Sequence, residues 1–183
     1  MRNNLTYFLD LDGVCADFLG GAAKWYGVTD KTIEKDWPDG EWGNSEIISD
    51  FFGVGMSEFW DGITNEFWEN LEWLPDGREI YELFKPLKPC ILTSPATTGA
   101  SGKQAWIKKN MPGLFADGRY IISPAKDYIA GRDRVLIDDC DLNIEKWAAE
   151  GGIGILVPRK WNSSYYVRNS TLAVLKLKLR LQT

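Results

Sequence analysis

Four stretches of this 183-residue chain carry side chains that could do chemistry together: Asp10 and Asp12 in FLDLDGV, Thr93 and Ser94 in CILTSP, Lys126 in SPAKDY, and Asp138 with Asp139 in VLIDDC. The chain has no histidine, which removes the commonest general base and any Ser/His/Asp or Cys/His machinery. Carboxylates must then move the protons. A strand ending in an Asp/Gly turn would explain DLDG alone, and an EF-hand is excluded because Val14 and Gly21 fall where oxygen ligands are needed. What asks for more is the set. Each group follows a short apolar run, so carboxylates, hydroxyls and one amine are offered at four strand ends.

In this order the residues resemble the haloacid dehalogenase-like (HAD) phosphatase superfamily, with D10-L-D12-G-V14, then T93-S94, then K126, then D138-D139. The resemblance spans roughly Thr6 to Pro158. A closer similarity is to the 5'(3')-deoxyribonucleotidases, carried by DGVCADF with its aromatic Phe18, by LTSP, and by a long insertion directly after the first signature. The resemblance implies a phosphatase of (deoxy)nucleoside monophosphates working through an aspartyl-phosphate. A phosphate monoester is a dianion, so an attacking carboxylate needs a shielding cation. Magnesium suits all-oxygen ligands, here the Asp10 carboxylate, the Asp12 backbone carbonyl and Asp138.

On this reading Asp10 attacks phosphorus and Asp12 is the proton shuttle, the acid that distinguishes transfer to water from the ATPase relatives with Thr there. Thr93, Lys126 and backbone N–H groups near Ser94 hold the phosphoryl oxygens. Asp139 orients a water on the metal from behind. Phe18 and, by analogy with the family, Trp60 contact the substrate. Alternatives of the same chemistry are a sugar phosphate, another small phosphomonoester or a polynucleotide end. A non-catalytic phosphate-binding domain is a third class, disfavoured because it would not need so many acids.

The elements that must position these groups can be read from periodicity. Apolar runs at residues 6–12, 88–94, 118–123, 133–139 and 151–157 read as buried strands. Helical patterns at 76–87, 101–110 and 141–150 lie between them, the last with Ile144, Trp147 and Ala148 on one face. Alternation of this kind implies a parallel sheet covered on both sides, with binding groups at its carboxyl edge. The expected fold is therefore α/β, a HAD-like Rossmann-type sheet flanked by helices. Residues 1–18 and 75–183 would form the core, and 19–74 an inserted helical cap with Ser45, Ser57 and Thr64 starting short helices.

Six of nine tryptophans fall between residues 25 and 73. They fit either a wall for stacking a nucleobase or the core of a small helical insertion. Trp68 is assigned to that core. TTGASGK at 97–103 hints at phosphate binding but lacks the GxxxxGK[ST] spacing, and reads as a loop opening a helix whose Lys103 could reach substrate. DKTIEKD reads as a solvated helix face. The tail TLAVLKLKLRLQT fits a half-exposed strand or a helix started by Ser170 or Thr171.

A formal net charge of −5 argues against gripping long nucleic acid. No apolar run reaches the ~18 residues of a membrane span, and the first residues lack a signal-peptide core. Cys15, Cys90 and Cys140 form no CxxC pair, so neither a disulfide framework nor a zinc site is expected, and a cytoplasmic setting is. Whether the chain forms a homodimer is left open.

Overall fold

The computed structural model describes residues 5–96, 99–167 and 170–180. Five strands, β1 (Thr6–Leu9), β2 (Cys90–Thr93), β3 (Tyr120–Ile122), β4 (Arg134–Asp138) and β5 (Ile153–Leu156), form one sheet in the order β3-β2-β1-β4-β5. All neighbours are parallel. Helices follow in chain order: α1 (Phe18–Trp25), α2 (Ile33–Asp36), α3 (Ser45–Phe52), α4 (Met56–Gly62), α5 (Asn65–Glu69), α6 (Gly77–Phe84), α7 (Ala100–Asn110), α8 (Pro112–Ala116), α9 (Asp141–Ala149) and α10 (Thr171–Arg180). This is the expected α/β architecture.

The strands read as continuous apolar runs because both faces are covered. Tyr7, Leu9, Ile91, Val135 and Ile137 belong to one core cluster, while Phe8, Leu92 and Leu136 join Trp147 in another. Register then fixes the site. Leu9 lies opposite Ile91 on one side and Ile137 on the other, so the chain leaving β1 emerges between the ends of β2 and β4. Successive strands depart from β1 in opposite directions, which makes its carboxyl end the switch point where a crevice opens.

Five helices lie between β1 and α6, and most of their aromatics are packing groups. Trp37, Phe51, Phe52, Phe59, Phe67 and Trp68 are all buried. The helix starts differ from expectation at two places. Asn44, not Ser45, caps α3, accepting from the N–H groups of Glu46 and Ile47 at 3.0 Å each. Ser57 lies inside α4, where its hydroxyl bonds Asp61, and Gly55 precedes the helix. Thr64 does precede α5, without a side-chain bond to it.

Two further expectations were open or partly wrong. The tail is helical: Ser170 Oγ accepts from Ala173 N at 3.2 Å and Leu175 is buried, while residues 181–183 lie outside the described residues. On α9 Trp147 is buried as expected, but Ala148 is exposed, since 100° per residue turns it off the sheet-facing line. No residue of α2, within DKTIEKD, is buried. Among the described residues no helix is long and apolar enough to cross a membrane, and all three cysteines are free thiols.

Candidate active site

Gly13 has φ +70°, a left-handed conformation that glycine adopts without strain. This turn lets the backbone fold back at once, with the amides of Cys15 and Ala16 both bonded to the Leu11 carbonyl at 2.8 Å. Arg159, in the loop after β5, clamps the same turn. Its guanidinium donates to the carbonyls of Gly13 (2.6 Å) and Val14 (3.3 Å) and forms a bidentate pair with Asp76 at 2.8 and 3.0 Å. Asp10 and Asp12 are thereby held at the sheet edge.

The buried carboxylates of Asp10, Asp138 and Asp139 converge, with one oxygen from each inside 4.8 Å of the others. Lys126 stands between two of them, 2.8 Å from Asp10 Oδ1 and 2.7 Å from Asp138 Oδ2. Asp138 also accepts from the Cys140 amide at 2.9 Å and from Asn143 Nδ2 at 3.1 and 3.2 Å. Asp139 Oδ2 accepts from Trp161 Nε1 at 2.5 Å. Lys126 thus ties Asp10 to Asp138, while Asp138 and Asp139 are each oriented by a further donor of their own.

Burial first, then the charges of Asp138 and Asp12, push the Asp10 carboxyl up to about 7, against the pull of Lys126. Asp139 is raised well above the carboxylate range, by burial and then by Asp138 and Asp10. Burial alone would lower the Lys126 ammonium, yet the adjoining Asp10 and Asp138 outweigh it and raise it. Three buried acids thus face one ammonium. Hard oxygen donors in this number and spacing fit a divalent cation such as magnesium.

Above the acids lies a cavity of about 650 Å³ walled by Phe18, Trp42, Trp60, Trp68 and Trp161. Phe18 is a buried part of this wall, its ring centroid within about 6 Å of those of Trp42, Trp60, Phe67 and Trp68, with the Trp60 and Trp68 rings inclined by only 14° to its own. Trp42 is 47% exposed, the most open of these rings. Ser94 also lines the cavity, and Thr93 is buried beneath it.

Residues 4–169 match the family described as 5' nucleotidase, deoxy (pyrimidine), cytosolic type C protein. The chain belongs to this family. A member of the nucleotidase family on a HAD fold, it is a phosphomonoester hydrolase. A HAD family hydrolase from Deinococcus radiodurans R1, solved with bound phosphate and sodium, superposes with a TM-score of 0.59 at 13% identity, covering 97% of this chain and 95% of that one. L-2-haloacid dehalogenase from Xanthobacter autotrophicus gives 0.52 at 14% identity, covering 94% and 87%. A hydrolase from Streptococcus pneumoniae TIGR4 gives 0.52 at 11%, covering 97% and 98%. At such identities these three establish the fold. Among curated protein sequences none matches this chain.

All the residues singled out in the sequence gather at this edge: Asp10, Asp12, Ser94, Lys126, Asp139, Phe18 and Trp60 line the cavity, with Thr93 and Asp138 bonded to groups that do. Trp68 is buried as assigned, but it also faces the cavity. The glycine amides of TTGASGK are consumed by the fold, Gly99 N on Ala96 O and Gly102 N on Asn65 Oδ1, and Thr97 and Thr98 lie outside the described residues. Sequence reasoning missed Arg159, Trp161, Asn143 and Trp42. The one usable signal was that WNSS and PRK follow a strand whose end belongs to the site.

Proposed function

We propose that this hydrolase cleaves nucleoside monophosphates, with the deoxy series preferred, using magnesium and an aspartyl-phosphate on Asp10. The observation that carries the reading is the joining of a buried acid cluster to an aromatic cavity of about 650 Å³, room for a base and sugar beyond the phosphate. The deoxy preference and a cytoplasmic site of action rest on the family description.

Asp10, Asp138 and the Asp12 carbonyl would hold the cation, with Asp139 close behind to orient a water on it, and the cation would neutralise phosphate charge as the nucleophile approaches. Asp10 Oδ attacks phosphorus as the ester P–O bond breaks, and Asp12 protonates the departing oxygen. Water then cleaves the acyl phosphate, returning a proton to Asp12. Lys126 and Thr93, with amides near Ser94, hold the equatorial oxygens. Residues 19–74 act as a cap whose Trp60 and Trp42, together with Phe18, face the base.

The experiment is phosphate release across ribo- and deoxynucleoside monophosphates and sugar phosphates, with magnesium and then with chelator. Hydrolysis of nucleotides in magnesium alone supports the reading. Equal or better turnover of sugar phosphates overturns it.

A further inference from the structure

Lys103, on α7, is a buried charge with no part in the roles above. It is 1% exposed. Its ammonium donates to Asp12 Oδ2, to the Ser94 carbonyl at 2.5 Å and to Thr93 Oγ1 at 3.1 Å, and it stands 4.3 Å over the Trp68 ring. Asp12 is its one ion-pair partner among the described residues. Because a buried ammonium is costly unless paired and hydrogen-bonded, this contact ties Asp12 to α7.

The helix itself is firmly placed. Asn65 Oδ1, on α5, accepts from Ser101 Oγ at 2.7 Å and from Gly102 N at 2.9 Å. A Cβ at Gly102 would stand 2.3 Å from Asn65 O and 2.7 Å from Trp68 Cβ, so only glycine allows this approach. The result is an asymmetry within one carboxyl. Asp12 Oδ2 is pinned, whereas Asp12 Oδ1 is buried and has no hydrogen-bond partner among the described residues.

We propose that Lys103 is a positioning residue, holding Asp12 Oδ2 so that Oδ1 is the oxygen that exchanges the proton. The inference rests on Asp12 being the acid and base. As the Asp10 oxygen–phosphorus bond forms and the ester P–O bond breaks, the proton on Oδ1 passes to the departing oxygen and an alcohol leaves. When water attacks phosphorus and the bond to Asp10 breaks, a water proton returns to Oδ1. Lys103 keeps its own three protons throughout.

The test compares kcat/KM, which reports the step up to phosphoryl transfer, on three substrates. A deoxynucleoside monophosphate and deoxyribose 5-phosphate both release an alkoxide needing a proton, whereas 4-nitrophenyl phosphate releases a stable phenolate. Lys103→Met is expected to lose about 100-fold or more on the two alkyl substrates and under about fivefold on the aryl one. Lys103→Gln, able to donate an N–H to Oδ2, should recover about tenfold of the alkyl loss. Asp12→Asn is run in parallel, and if it shows no dependence on the leaving group, the acid reading of Asp12 fails by itself. Should Asp12→Asn discriminate while Lys103→Met loses equally on all three, Lys103 holds phosphate and the proposal is overturned. Loss on the nucleotide alone would overturn it too, by placing Lys103 in the base pocket. If circular dichroism shows Lys103→Met unfolded, Lys103→Gln is judged by the same pattern.

Discussion

A Cβ placed on Gly13 would lie 2.1 Å from Asp139 Oδ2. The turn that aims the first two aspartates thus also makes room for the last. Gly13→Ala should combine a left-handed backbone penalty of about 1–2 kcal/mol with displacement of Asp139. We expect activity to fall at least about tenfold and Tm to drop by roughly 2–8 °C, read by phosphate release and thermal denaturation. Wild-type turnover in this variant would show that Asp139 can move freely.

Asp10→Asn should abolish turnover while the protein stays folded, since it relieves charge crowding in a buried cluster and leaves Asp138 to pair with Lys126. A tenth of the wild-type rate remaining would exclude Asp10 as nucleophile. Asp138→Asn should instead raise the magnesium concentration needed for half-maximal activity. An unchanged titration would place the cation elsewhere.

Stability should depend on pH in a direction set by Asp10 and Asp139. Their folded values lie above the ordinary carboxylate value, Asp10 at about 7, so the folded protein holds protons that the unfolded chain has released. The stabilisation from these groups is complete below about pH 4, the unfolded value, and is lost as pH rises through their folded values, which for Asp10 means about 7. In chelator, Tm should therefore decline from pH 5 to 7.5. Magnesium favours the ionised acids, so the Tm it adds should be larger at pH 7.5 than at pH 5. A flat metal-free profile would contradict the crowding of these carboxylates.

Arg159 and Asp76 should be energetically coupled. Arg159→Met removes a bidentate pair and two bonds to the Gly13–Val14 turn. A double-mutant cycle with Asp76→Ala is expected to give about 1–3 kcal/mol of coupling by denaturant unfolding, and kcat should fall with the loosened turn. Strict additivity would mean that the clamp does not act as one unit.

The aromatic wall can be divided by exposure. Trp42→Ala, at the open ring, should reduce kcat/KM for nucleotides by roughly 5- to 150-fold, the value of one stacked base, with little change for 4-nitrophenyl phosphate and little loss of stability. Trp68→Ala should lower Tm and depress all substrates, because its ring is buried and lies against Phe18 and the Lys103 ammonium. If Trp42→Ala instead lowers Tm without changing selectivity, its ring belongs to the packing.

The parallel sheet and the acid edge were legible from local pattern. Strands buried on both faces must be apolar throughout, and groups that follow them must emerge at one edge, so TYFLDLD, CILTS and VLIDD declared both their element and the place of their polar ends. Asp10, Asp12, Thr93, Lys126 and Asp138 could be named on that basis. Helix starts were less secure, as Ser45 against Asn44 shows, because several polar residues in a row can each cap a turn and packing chooses among them. The tail stayed ambiguous because alternating Leu and Lys suits a strand as well as a helix, until burial of Leu175 against the body of the fold selected one.

What only tertiary structure decided are the long-range partners. Arg159 meets Gly13 across a separation of 146 residues, Lys103 meets Asp12 across 91, and Trp161 meets Asp139 across 22. A charged residue after a strand or on a helix is equally at home in solvent, so its type carries no address. Its partner is set by which strands are neighbours and by how closely glycine lets the elements approach, and those quantities exist only once the sheet is assembled.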